Sequence, residues 1–194
     1  MNTRYQPIWQ QAAPLLGVRS NDVHTRYCYA FAETLCDLHP EADREIVVPA
    51  ILLHDIGWST VPPDKLLLAF GPHMQYPELR RQHEVEGARL ARRILASIGW
   101  PAERSGAIAK IVDGHDTRSD ALSLEDRLVK DADKLWRYTP HGVETVRGWF
   151  GYELDRQLDL LAEWTRTRFF DEAARHMAIG LLTGLRAESE VSRG

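Results

Sequence analysis

Apolar positions recur along most of this chain at steps of three and four residues, the spacing of one helix face. Val23, Tyr27, Ala30, Phe31, Thr34, Leu35 and Leu38 predict a helix that Pro40 closes, with Ser20, Asn21 and Asp22 as N-cap candidates. A short helix from Ile8 to Leu16, broken near Pro14 and Gly17, precedes it. Glu41 to Asp55 predicts the next helix, and its run from Ile46 to Leu53 is apolar nearly all round. Val85, Ala88, Leu90, Ala91, Ile94, Leu95 and Ile98 give a helix over Glu78–Ser97 one broad apolar face. Further helices are expected over Ala102–Val112 and Leu124–Tyr138, with two or three more reaching about Ala187. Between Ser59 and Pro77 the pattern lapses. Pro62, Pro63, Gly71, Pro72 and Pro77 predict a loop or lid there, with one small helix around Leu66–Phe70. No strand, repeat or low-complexity tract is recognisable. The expected fold class is all-α: an N-terminal helical extension (1–19), a central core (20–140), C-terminal helices packing on that core (141–187) and a loose polar tail (188–194).

Composition narrows the class. A length of 194 residues predicts one domain with a sizeable core. The net charge of −4 offers no electrostatic case for a nucleic-acid polymer as partner. Cys28 and Cys36 form no CxxC pair and are expected to be buried or free thiols in a reducing compartment. The N-terminus lacks a signal-type apolar core, and no stretch approaches the ~18 apolar residues of a membrane span. The expected location is the cytoplasm, with no membrane partner.

One stretch does not fit an ordinary core. The apolar run ends in His54-Asp55, and a carboxylate buried alone costs roughly several kcal/mol. A metal cation would compensate it, since imidazole and carboxylate are ordinary ligands of transition metals. Gly57 is expected just past a helix end, in a left-handed backbone. His24, His54, Asp55, His83, His115 and one of Asp131 and Asp133 lie on apolar helices or at their ends. Helical folds build metal sites in this way, with side chains from several helices pointing inward. Asp131 and Asp133 point about 200° apart on a helix, so only one faces a given metal.

The order His24, His54-Asp55, Asp133 resembles the H…HD…D signature of the HD-domain metal-dependent phosphohydrolase superfamily, over about Ser20 to Tyr138. The tetrad His54 to Gly57, His83 in the segment His83–Ala88, and His115 are similar to the binuclear branch of that family. The Gly-Tyr-Pro of the cyclic-dinucleotide phosphodiesterases does not follow His115, and Glu84 stands where a Pro often follows the third histidine. The resemblance selects Asp133, which precedes x-Leu, over Asp131. It implies one or two divalent transition metal ions (Mn, Fe, Co, Ni or Zn) held by His24, His54, Asp55, His83, His115 and Asp133.

The expected activity is hydrolysis of a phosphate ester or anhydride in a small, nucleotide-like metabolite by a metal-activated water. Asp55 would bridge two metals. With a single metal, His83 or His115 becomes available for acid–base work, and Asp116 is a further candidate. Lys134, Arg118 and Arg80 are the expected substrate-binding residues; Arg81 also flanks a ligand, and His73 and His141 carry no assigned role. Two other readings use the same fold: a mixed-valent di-iron oxygenase with the same six ligands, and a catalytically silent domain that senses a ligand. A homodimer is also compatible with the sequence.

Overall fold

The computed structural model describes residues 1–191. Nine α-helices and short 3-10 turns account for about three quarters of them, and no strand occurs among the described residues. The order is α1 (Gln6–Ala12), α2 (Asn21–Leu38), α3 (Arg44–Leu53), α4 (Pro77–Ser97), α5 (Ala102–Val112), α6 (Leu124–Leu135), α7 (Pro140–Phe150), α8 (Leu154–Thr167) and α9 (Glu172–Val191).

Helix α3 is the axis. All seven residues from Val47 to Leu53 are buried, so the helix has no polar face and needs neighbours on every side. It packs against α1, α2, α5 and α6, while α4 packs on α5 and α9 on α6 and α8. Tyr5, Ile8, Ala12 and Leu16 belong to the same apolar core, so the N-terminal segment is built into the bundle. Among the described residues, no helix is long and apolar enough to cross a membrane.

Local chemistry sets several boundaries. α3 starts at Arg44 rather than Glu41, because the Asp43 carboxylate accepts the Glu45 N–H at 2.9 Å and caps the helix. It stops at Leu53, so His54 and Asp55 follow its last turn instead of forming it. The expected cap before α2 does not form: Ser20 is left-handed, φ 58°, and makes no capping hydrogen bond. α6 ends at Leu135 and tightens into a 3-10 turn over Trp136–Tyr138. Of the predicted loose tail, Glu188–Val191 continue α9, and residues 192–194 lie outside the described residues.

The irregular stretch is better built than its composition suggests. Ile56–Thr60 and Pro63–Leu68 are 3-10 turns, and Trp58, Val61, Leu66, Ala69 and Phe70 form a small second core. Gly57 is not left-handed, contrary to expectation. Its role is close approach: a Cβ there would overlap the His83 carbonyl oxygen and sit 2.7 Å from the Gly87 nitrogen. The 56–60 turn thus rests directly on the backbone of α4.

Candidate metal centre

Four elements deliver side chains to the point where α3 ends. His24 comes from the first turn of α2, His83 from α4, His115 from the loop after α5, and Asp133 from α6. His54 and Asp55 complete the group. His54 Nδ1 lies 2.7 Å from the Ile51 carbonyl oxygen, and His115 Nδ1 lies 2.9 Å from that of Val112. A carbonyl only accepts, so each Nδ1 carries the proton and each neutral ring presents Nε2 as a lone pair. The Nε2 atoms of His24 and His54 are 3.0 Å apart. Asp133 Oδ1 lies 3.2 Å from the first and 3.7 Å from the second. Asp55 turns Oδ2 to this pair, 3.6 Å from each, and Oδ1 to His115 at 3.5 Å and His83 at 3.9 Å.

These spacings suit a shared cation. Ligand atoms about 2.0–2.2 Å from one ion stand roughly 3–3.5 Å from each other. The His24, His54 and Asp133 atoms come near that spacing as one group, and those of His54, Asp55 and His115 form another; within each, all lie within 4.8 Å. His83 provides an independent sign. It is fully buried, and neither ring nitrogen has a hydrogen-bond partner among the described residues. An orphaned buried imidazole is costly unless something else engages it.

The electrostatics agree. Burial lowers the His24 imidazole and takes His83 down to about 4, so both favour the neutral form that binds metals. Burial also opposes charge on His115, but the adjacent Asp55 carboxylate outweighs it and raises this histidine to about 9. Asp55 and Asp133 are desolvated too, yet the surrounding imidazoles hold both well below the ordinary carboxylate range. The site is a negative well: against burial, the Asp55 and Asp133 carboxylates also raise His54, and a bound cation would take the place of the protons they draw onto His54 and His115. The donor set of imidazole and carboxylate fits a divalent transition metal without naming which one.

The profile of the HD domain matches residues 21–138. The chain belongs to the HD-domain family. A solved crystal structure with the same fold, described as a predicted HD superfamily hydrolase from an uncultured Thermotogales bacterium, has a TM-score of 0.63 and 19% identity, covering 97% of this chain and 92% of that one. No curated protein matches the chain.

Around the six candidate ligands lies a layer of positioning contacts. Asp131 turns away from the centre and accepts the backbone N–H groups of Phe170 and Asp171, at 2.9 and 2.8 Å, and Lys134 Nζ at 3.0 Å. It ties α6 to the start of α9, whereas Asp133 faces His24. Trp58 donates its Nε1–H to Asp55 Oδ1 at 3.0 Å and stacks on His83 with ring centroids 3.9 Å apart. Glu84, fully buried, accepts the N–H groups of Asp116 and Thr117, each at 2.8 Å, the Thr117 hydroxyl at 2.5 Å and Arg81 Nη1 at 2.9 Å. It holds the loop that carries His115. Lys130 Nζ supports the same loop, donating to the carbonyls of Gly114, His115 and Arg118.

The expected substrate-binding cations are largely engaged within the protein. Arg80 forms a bidentate pair with Asp116, both bonds 2.7 Å, which also occupies Asp116 and leaves its carboxyl low in pKa despite burial. Arg118 donates to Asp126 and to the Asp113 carbonyl. Lys134 pairs with Asp131 and lies over the Phe170 ring. All three still line a cleft of about 840 Å³ that opens from His24, Asp55, His115 and Asp133. Aromatic side chains, among them Trp58, Phe70, Trp136, Trp149 and Phe150, form much of the rest of its wall. A smaller recess of about 240 Å³ between α8 and α9 shares none of these residues. Trp58, Glu84 and Lys130 were not assigned a role from sequence; only the Glu84 position stood out, as a departure from the family's Pro.

Proposed function

We propose that the protein is a metal-dependent hydrolase of a phosphate ester or anhydride in a small organic phosphate. The observation that carries this reading is Asp55, whose two oxygens face two different groups of imidazole nitrogens. Such a carboxylate suits a pair of ions. His24, His54 and Asp133 would hold one, His83 and His115 the other, with Asp55 between them. Bound there, divalent metal supplies Lewis acidity toward phosphate oxygens and lowers the pKa of a coordinated water toward about 7.

The chain's own residues do the rest. Hydrolysis adds hydroxide to phosphorus and a proton to the departing oxygen. The Nδ1–H bonds of His54 and His115 to backbone carbonyls fix their tautomers and rotations, so Nε2 remains the lone-pair atom during turnover. Trp58 holds Asp55 from one side, and Glu84 and Lys130 hold the His115 loop from the other. The aromatic walls exclude water from the non-reacting part of the substrate and present flat apolar surface to it.

The test has two parts. Metal content of the purified protein and of D55A is measured by mass spectrometry, and a set of phosphate monoesters and anhydrides is assayed for phosphate release with manganese, cobalt or zinc. One or two ions per wild-type chain, none in D55A, and metal-dependent release are expected. If iron-loaded protein consumes oxygen and never releases phosphate, the di-iron oxygenase reading replaces this one.

A further inference from the structure

Among the cations that line the cleft, Arg19 is the one whose buried donors lack a partner among the described residues. Arg19 lines it next to Asn21, His24 and Asp55, and its Nε and Nη1 atoms are buried without a hydrogen-bond partner among the described residues. Its guanidinium carbon lies 4.0 Å from the Phe70 ring centroid, 4.4 Å from that of Trp58 and 4.9 Å from that of Trp149. Three rings around one guanidinium fix its position and keep water from Nε and Nη1, without giving these N–H donors an acceptor in the ring plane. Burial lowers this group to about 10, which leaves it charged at neutral pH.

A second orphan stands beside it. Asn21 is 1% exposed, lines the same cleft, and its Nδ2 also lacks a partner. Between the two, the backbone is held in a conformation that side chains with a Cβ rarely adopt: Arg19 and Ser20 are left-handed, φ 57° and 58°. Such strain persists only where surroundings over-determine it, and it clusters at ligand-binding positions. Trp58 joins this corner to the His-Asp cluster, because the ring beneath Arg19 also donates to Asp55 and stacks on His83.

We propose that Arg19 and Asn21 form the anion subsite of the cleft and bind a phosphate group of the substrate through the N–H groups of Arg19 Nε and Nη1 and Asn21 Nδ2. The orphaned atoms are all donors, so the missing partner is an acceptor; next to a guanidinium, that partner is an anion. The fork of two guanidinium nitrogens matches two oxygens of a tetrahedral phosphate. The substrate class is then an organic phosphate whose charged end sits against residues 19–21 and whose flat or apolar remainder lies along Trp149 and Phe150. This subsite rests on the phosphohydrolase reading only for which bond is later broken.

The experiment measures binding of inorganic phosphate to manganese-loaded protein by quenching of tryptophan fluorescence, with no turnover involved. R19M is expected to weaken phosphate binding about 30-fold, and R19K and N21A about 5-fold each, the range for losing one or more hydrogen bonds to a charged ligand. Manganese content is expected to stay at the wild-type value in all three. Should R19M fail to fold, R19K and N21A carry the same comparison, since each retains a side chain of similar packing or smaller volume. Phosphate binding within two-fold of wild type in the metal-loaded variants would overturn the subsite, as would a wild-type protein that binds no phosphate. A protein that binds phosphate through Arg19 but hydrolyses no phosphate ester would instead refute the hydrolase reading alone.

Discussion

Replacing Gly57 with alanine tests how the centre is assembled. The added methyl would overlap the carbonyl oxygen of His83 and come within 2.7 Å of the Gly87 nitrogen, against an ordinary carbon–oxygen contact of about 3.3–3.6 Å. Both obstacles are backbone atoms of α4, so no rotamer change relieves them. The 56–60 turn must therefore lift from α4 by roughly 1.5 Å, taking the methyl from 1.8 Å to about 3.3 Å from that oxygen. Overpacking of this kind costs about 1–3 kcal/mol, and an obstacle made of backbone belongs at the upper end. For a domain of this size, about 3 kcal/mol corresponds to a fall in melting temperature of roughly 6–12 °C. The same lift carries Asp55 and Trp58 away from His83, so metal affinity should fall together with stability. Gly148 is the control, because a methyl there meets nothing within 4 Å and replaces glycine in the interior of α7. G148A should hold its melting temperature or gain slightly, by the ~0.5–1 kcal/mol that separates alanine from glycine in a helix. Thermal melts followed by circular dichroism, with manganese titrations of the same samples, give both readouts. A G57A protein that melts within 2 °C of wild type and binds manganese equally well would refute the close-approach argument.

The remaining predictions concern the residues that hold the ligands. E84Q offers Thr117 and Arg81 an amide donor where they need an acceptor; at about 1.5–3 kcal/mol for a lost charge-assisted bond, it should lower the melting temperature by several degrees and weaken manganese binding, and an unchanged titration would remove Glu84 from the support of His115. D133N should abolish metal binding while D131N keeps it and loses stability through its bonds to Phe170 and Asp171, so equal metal loss in both variants would contradict the assignment of the two carboxylates. His39 lies against Glu41 and Asp171; burial opposes its charge, but the two carboxylates outweigh it and raise its pKa above 6.5. Its contribution is therefore fully present below pH 6.5 and lost as pH rises through the folded-state value, so the gap in melting temperature between wild type and H39Q should be largest near pH 5.5 and shrink by pH 8. A gap that widens with rising pH would reverse the sign and defeat the argument.

Most of the helical layout was legible because burial and periodicity coincide. α2, α4 and α5 each show one apolar stripe, and the matching residues Leu35, Ala91 and Ile108 are fully buried. α3 was legible for the opposite reason, an apolar surface on every side that only the centre of a bundle can cover. Boundaries depended on contacts that periodicity does not encode. Asp43 shortened α3 by capping it, and α9 ran on through Glu188 and Glu190, which composition alone assigns to a loose tail. Gly57 was singled out for the wrong physical reason. Sequence shows that a glycine follows the helix, but whether it supplies a left-handed turn or room for another backbone depends on α4.

The candidate ligands were legible because each is chemically out of place, a histidine or aspartate on a helix that otherwise buries hydrocarbon. The groups around them carry no such signature. Arg80 and Arg118 drew attention as cations beside His83 and His115, and that same proximity commits them to the His115 loop, one through Asp116 and the other through Asp126 and the Asp113 carbonyl. A cation left for a ligand must instead lie where carboxylates are displaced by something else. At Arg19 that something is three aromatic rings from three segments, Trp58, Phe70 and Trp149, which no local spacing brings together. Charge can be read along a chain, but whether it has already been neutralised is a property of the fold. The buried, unpartnered donors at Arg19 and Asn21 are therefore where the folded structure adds most to the sequence: they identify a part of the cleft that still calls for an anion.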